Sequence, residues 1–378
     1  MKKLFKISVA ALAAGAAVTL AGCGGCAGCS GNSKNYAPTN SNWYTGTSYK
    51  GIQPSFVKDD AHPEYKPEVI DYEVTYSPYD GNSSYTVNYT DGSYRTEFYA
   101  EKYFWKDNPV YAEDKEEILY CYKTQFEITV EFTLKSSGAK TQAFKDSAVS
   151  VAYFRAAGRN LQPVYSYQKM VSHSPANMTA ASLEGIYREV NVVYENFYDY
   201  NCTEVTTFTT ENPAENYVRD ENSRKKHTGL DKLNYSLFDN SSLYIAVRSM
   251  KLSPSLSQRI CLFNASAGGV SEYGVSGTEA ALGETEHAAI SAELEKNGLF
   301  VPDTEKEITK VPAVAVHLNF VGGDLSGTTQ TAWFAAITDA DKNIGRTTML
   351  KLSVPLSYGL GTLNYTLKTV QSTLWNGN

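Results

Sequence analysis

The sequence predicts a mainly β protein whose strands run antiparallel. Three observations predict it. Residues 126–134 alternate strictly between apolar and polar side chains, the chain carries 28 Tyr, 15 Phe and 4 Trp, and many of these lie in Thr- and Val-rich runs separated by turn residues. Aromatic and β-branched side chains fit a pleated, half-buried surface, and alternation with period two sets one face on a core and the other in water. Lining of strands explains the tyrosine excess more simply than ligand contact does, although a phenol also offers an apolar face and a polar tip to a ligand.

Ile70, Tyr72, Val74 and Tyr76 share one face of a first strand, with Asp71, Glu73 and Thr75 on the other. Residues 84–89 repeat the pattern, and Asp91-Gly92 reads as the turn of a hairpin whose second arm is 94–99. In the clearest strand Phe126, Ile128, Val130, Phe132 and Leu134 alternate with Glu127, Thr129, Glu131 and Thr133. Ser136-Ser137-Gly138 then turns the chain, and 148–154 returns. Further strands are expected at 164–170, 189–194, 203–208, 242–248, 258–263, 313–320, 331–337, 348–354 and 362–370. Two segments read as helices: a short one within Ala180 to Glu189, and Glu284 to Lys296, which Asn297-Gly298 would stop. No repeat of about 20 to 50 residues recurs, which disfavours solenoids and propellers.

The first residues carry an address. Lys2, Lys3 and Lys6 form a positive start, and Ile7 to Ala21 is apolar or small apart from Ser8 and Thr19, the pattern of a secretory signal. That run is shorter than the roughly 20 apolar residues a membrane-spanning helix needs. Leu20-Ala21-Gly22-Cys23 resembles a complete bacterial lipobox. The resemblance implies cleavage before Cys23 and a diacylglyceryl group on its thiol, placing the chain on the outer face of the cell membrane or on another envelope membrane. Two or more acyl chains anchor stably, each buried methylene contributing about 0.8 kcal/mol. The expected organisation is a signal peptide over 1–22, a lipidated tether over 23–65 and a β-rich extracytoplasmic domain over 66–378. From Gly24 to about Tyr65 the composition is Gly, Ser, Asn, Thr, Pro and Tyr, which reads as a flexible tether with an r.m.s. reach of roughly 35 Å.

The second half of the chain carries a further likeness. Leu243-Tyr244-Ile245-Ala246-Val247-Arg248, a paired strand, a long excursion, the run from Trp333 to Gly345, and a closing pair ending in Gly359 to Leu367 resemble the strand order of envelope half-barrel proteins of the lipoprotein-carrier (Lol-type) fold. The resemblance covers residues 70 to 370. It implies a strongly curved antiparallel sheet, a half-barrel with one or two short helices, whose apolar concave face is partly plugged by helices and holds acyl chains. Two successive β-sandwich domains are the alternative that the strand spacing also permits.

The sequence holds few motifs that carry chemistry. Gly-x-Ser-x-Gly, His-Glu-x-x-His and Gly-x-x-x-x-Gly-Lys do not occur. Ser166-Tyr167-Gln168-Lys169 matches Ser-x-x-Lys, but in a strand residues three apart point to opposite faces. His62, His173, His227, His287 and His317 have no partners at metal-ligand spacing. His317 sits opposite the apolar side of its strand, where a hydrogen-bonded ring is expected rather than a base. Asp339-x-Asp341-x-Asn343 spaces oxygens as a calcium loop does, yet Gly345 comes one place late and Leu350 stands where the bidentate acid belongs. Cys26-x-x-Cys29 lies in the tether without the neighbours a redox motif requires, and Cys121, Cys202 and Cys261 read as buried small apolar residues, although any two could pair in an oxidising compartment. Arg224-Lys225-Lys226-His227 reads as an exposed loop with compensating charge.

No catalytic residue, metal site or cofactor is therefore expected. A net charge of -7 argues against nucleic acid as a partner. The expected function is that of a non-enzymatic envelope lipoprotein that binds a lipid or other apolar or amphiphilic ligand, or an envelope protein. Adhesion or glycan binding is the alternative, followed by an extracellular hydrolase.

Overall fold

In the computed structural model, the structure describes residues 67–79, 83–155, 161–177, 179–233, 235–321, 329–335, 347–356 and 360–371. The expected signal peptide, Cys23, the tether with Cys26 and Cys29, His62, and the Asp339, Asp341 and Asn343 loop lie outside these residues. Within them the chain forms one sheet of fifteen strands, antiparallel except at one edge, curved around a large apolar core. The half-barrel expectation holds, and the single sheet overturns the alternative of two sandwiches.

The sheet is two meanders joined by the first and last strands. β1 (Glu68–Pro78), β2 (Tyr85–Phe104), β3 (Glu116–Leu134), β4 (Phe144–Arg155), β5 (Gln162–Pro175), β6 (Tyr187–Tyr198), β7 (Glu204–Glu211) and β8 (Lys225–Thr228) follow one another in space. β9 (Leu237–Asp239), β10 (Ser257–Asn264), β11 (Gly269–Glu279), β12 (Ala313–Val321), β13 (Thr329–Ala335), β14 (Met349–Pro355) and β15 (Gly361–Gln371) form the second run. β1 pairs with β15, while β9 lies parallel to β10 at the far edge. The alternation in β3 is as expected, with Phe126, Ile128, Val130, Phe132 and Leu134 all buried.

The hairpin expected at Asp91-Gly92 is instead a bulge within one continuous strand. β2 runs through both arms and pairs with β3 along its length, with one extra residue between Thr90 and Ser93. The reason is parity. Tyr85, Val87 and Tyr89 face the core from odd positions, whereas Tyr94 and Phe98 do so from even ones, and one inserted residue keeps both sets on the same face. Asp91 takes a positive φ of 53°. Gly92 passes so close to β1 that a Cβ would lie 2.6 Å from the Val74 carbonyl oxygen.

Two other expectations change. Residues 242–248 are not a strand: α1 (Leu243–Arg248) is a helix with all six residues buried. A continuous apolar run does not distinguish a buried strand from a buried helix. Here Asp239 decides, because its Oδ1 accepts from the Ser241 N–H at 2.9 Å and starts the helical turns. The helix expected within 180–189 is absent. Gly185 has φ 79°, Ile186 is buried, and Tyr187 already opens β6, its ring stacked on Phe132. The second expected helix is found as α2 (Glu284–Lys296), which packs beside β15, with Ile290 and Leu294 in the core. No helix of the described residues is long and apolar enough to cross a membrane.

The two ends of the sheet meet without hydrogen-bonding to each other as strands. Phe263 of β10 packs against Tyr198 of β6 and against His227 of β8, within an apolar cluster that includes Cys202, Val205 and Leu230. The basic run expected to be a loop forms the edge strand β8 instead, with Lys225 and Lys226 exposed and Lys226 paired to Glu204 at 2.7 Å. Lysines on an edge discourage further strand pairing.

Candidate functional site

The concave face of the sheet is the candidate site, and α1 fills it. Strand parity directs Ile70, Tyr72 and Val74 of β1, Phe98 of β2 and Leu363 and Tyr365 of β15 into one apolar cluster, and α1 contributes Leu243 to Val247. Several tyrosine hydroxyls in this interior have partners, while that of Tyr365 has none among the described residues. Tyr72 donates to the Met349 carbonyl at 2.9 Å, Tyr244 donates to Gln330 Oε1 at 2.8 Å, and the Tyr94 and Tyr122 hydroxyls lie 3.5 Å apart. Burial raises the Tyr72, Tyr94 and Tyr244 pKa values well above the ordinary phenol range and pushes Tyr122 up to about 12.

Arg248, at the end of α1, reaches Glu68 at the start of β1 with both Nη atoms. Burial opposes the guanidinium charge, but the carboxylate beside it more than offsets this and raises the Arg248 pKa. A small cavity of about 10 Å³ lies here, lined by Tyr72, Tyr122, Tyr244, Arg248, Phe334 and Met349 among others. That is room for about one water, and far less than an acyl chain requires.

Toward β4–β7 the concave face turns polar. Thr124 and Ser150 hydroxyls lie 2.7 Å apart. Asp239 Oδ2, at the end of edge strand β9, accepts from Ser166 Oγ at 2.6 Å, Tyr198 OH at 2.7 Å and Asn196 Nδ2 at 3.2 Å. This carboxylate pins the far edge of the sheet onto β5 and β6. Ser166 of the Ser-x-x-Lys match is thus a buried structural donor, and parity sends Lys169 to the other face.

The histidines are accounted for singly. His317 bridges Thr278 and Thr331 hydroxyls at 3.0 Å each, as expected for a hydrogen-bonded ring. His287 meets the Val311 carbonyl at 2.7 Å. His173 Nδ1 lies 2.7 Å from Asp146 Oδ1, its ring stacked on Phe144 at 4.1 Å. Burial, partly offset by the His173 hydrogen bonds, raises the Asp146 pKa, and burial lowers that of His227. Among the described residues no group of three or more His, Cys, Asp or Glu could hold a metal ion. Leu350 is a core residue. Cys121, Cys202 and Cys261 are buried and form no disulfide among the described residues, and burial pushes the Cys121 and Cys202 thiols up to about 12.

The convex face carries features that sequence spacing did not reveal. Tyr103, Tyr153, Tyr165, Phe197 and Phe208 form a chain of ring contacts 4.9 to 6.0 Å apart across β2 to β7. Arg219 lies over Phe197 and Phe208 and bonds Glu195 through Nε at 2.6 Å and Nη2 at 3.0 Å. Arg155 lies over Trp105 and Tyr200 and bonds Glu117 at 2.6 Å. Cross-strand register brings these groups together from distant segments.

No protein-family model matches the chain, and no curated protein matches it. Among solved structures it is similar to a β-barrel-like protein of a domain of unknown function (DUF1849) from Brucella abortus, at 11% identity and a TM-score of 0.41, over 81% of this chain and 97% of that one. The likeness transfers no site, ligand or activity.

Proposed function

We propose that the chain is a non-enzymatic, extracytoplasmic lipoprotein, held on a membrane through lipid on Cys23, whose curved sheet binds an apolar or amphiphilic ligand. The observation that carries this reading is α1: six buried residues occupying the concave face of a sheet whose remaining lining there is apolar and tyrosine-rich. A helix this short draws its stability from packing rather than from its own hydrogen bonds. A ligand offering equivalent apolar contact would therefore compete for the same surface. The cavity beside Arg248 admits about one water, so a ligand taking the surface beneath α1 would have to displace that helix. The tether and the lipobox resemblance support the anchored, exported address.

Native mass spectrometry of the mature protein purified from cells tests the ligand. A stoichiometric acyl species released on denaturation supports the reading, and a clean apo mass with no uptake of added lipid overturns it. Metabolic labelling with an alkyne fatty acid tests the anchor, with incorporation expected in the natural chain and lost in Cys23→Ala.

A second reading, glycan binding, rests on the convex ring chain. Half-buried Tyr103, Tyr153 and Tyr165 stand beside Glu101 and Glu195, and aromatic faces flanked by polar groups suit sugar rings. Retention on immobilised glycans that is lost in Tyr165→Ala, with the fold intact, would favour it.

A further inference from the structure

Four buried polar atoms on the concave face have no hydrogen-bond partner among the described residues: Gln168 Nε2, Asn196 Oδ1, Thr207 Oγ1 and Asn240 Nδ2. Their residues are between 4% and 7% exposed. Buried polar atoms are almost always paired, and each exception carries a cost of about 1–3 kcal/mol. Four exceptions in one neighbourhood need a reason.

Register places them together. Asn196 pairs across the sheet with Ser166 on one side and with Thr207 on the other. Gln168 is two residues along β5 from Ser166, on the same face and diagonal to Asn196, where neighbours lie about 7–8 Å apart. Asn240 follows Asp239, whose carboxylate already touches Ser166 and Asn196. The free set comprises two amide donors, an amide acceptor and a hydroxyl able to do either. It contains no free cation, and Asp239 Oδ2 is already occupied by three donors.

We infer that this cluster is a recognition site for an uncharged, hydroxylated group, the polyol or sugar head of an amphiphile whose apolar tail lies along the surface now covered by α1. An anionic head is disfavoured, because the described residues of the cluster offer no cation to offset its desolvation, and a cationic head would have to displace the three neutral donors that hold Asp239 Oδ2. A hydroxylated head would supply both donors and acceptors at no such cost. The inference rests on the proposed ligand-binding function and adds the chemistry of the head.

The test uses the mature chain with Cys23→Ser, so that no acyl group of its own is present, and three probes: submicellar n-octyl-β-D-glucoside, octanoate and glucose. Binding is measured by calorimetry for this protein and for the same protein carrying Gln168→Leu and Thr207→Val. Octyl glucoside is expected to bind at one per chain and to weaken about tenfold in the double variant, as loss of two hydrogen bonds predicts, while octanoate is unaffected. The variant should melt no lower than its parent, since the atoms removed are unpaired there. A lower melting point would mean that those atoms are bonded within the fold, and the inference fails. Equal binding of octyl glucoside and octanoate, insensitive to the substitutions, also overturns it while leaving an apolar groove. No binding of any probe removes both the head site and the groove. Glucose binding as tightly as octyl glucoside keeps the polar site but overturns the amphiphile, assigning the site to a free sugar.

Discussion

Arg248 and Glu68 form a two-pronged ion pair in the interior of the sheet, joining the end of the plug helix to the first strand, with side chains 5% and 2% exposed. Such a pair gains little over apolar packing of the same shape, but removal of one partner strands a buried charge. Glu68→Ala should therefore cost about 3–5 kcal/mol, and Glu68→Leu with Arg248→Met should recover most of it. Urea unfolding of the single and double variants measures this. A cost below about 1 kcal/mol for Glu68→Ala, the scale of an exposed pair, would mean that the pair does not hold α1 in place.

Asp239 closes the sheet by a different means. Three donors from β5 and β6 converge on one of its oxygens, and the other starts the turn into α1. Asp239→Ala should destabilise by at least about 3 kcal/mol, since even one bond to a charged group contributes about 1.5–3 kcal/mol and several donors would be left buried. A double-mutant cycle between Asp239→Asn and Tyr198→Phe should return a coupling of about 1 kcal/mol. Zero coupling would mean that the Tyr198 hydroxyl does not contribute to the closure.

What was legible in the sequence is what local spacing controls. Phe126 to Leu134 alternated cleanly because one face of β3 is core along its whole length. Glu284 to Lys296 read as a helix because its composition and its Asn297-Gly298 stop agree. The Asp91-Gly92 pair misled because a turn dipeptide also suits a bulge; the shift of core residues from odd to even positions was the available sign. The site was the least legible part. Glu68 and Arg248 are separated by 180 residues, and Ser166 and Asp239 by 73. Their meeting depends on β1 pairing with β15 and on the sheet curling until β9 touches β5, and no short motif encodes either.

The bulge makes its own prediction. Gly92 lies against the backbone and Cβ of Val74, with 2.6 and 2.8 Å to a Cβ placed there. Gly92→Ala should force β1 and β2 apart and cost about 1–3 kcal/mol. Asp91→Gly, at the neighbouring positive φ, should be neutral or mildly stabilising. Thermal melts compare the two, and a Gly92→Ala variant as stable as its parent would refute the close approach.

The acid response should separate two buried carboxylates of opposite tendency. Burial opposes the Glu195 charge, yet hydrogen bonds from Arg219, Tyr217 and Tyr165 prevail and lower its pKa from the ordinary 4.5. Between that depressed value and 4.5 the unfolded chain binds the proton more readily, so Glu195 contributes stability that grows with pH across this window and disappears below it. Asp146 behaves inversely. Its pKa is raised from 3.8, so the folded chain holds the proton more tightly, and its contribution falls as pH rises from about 3.8 through the raised value. Urea unfolding from pH 3 to 7 should show the advantage of the natural chain over Glu195→Gln widening with pH in the first window. Its difference from Asp146→Asn should move the other way, the Asp146→Asn variant gaining relative stability as pH rises. Parallel curves for all three would mean that neither carboxylate titrates differently in the folded and unfolded chains, and would remove the Arg219 and His173 contacts as electrostatic partners.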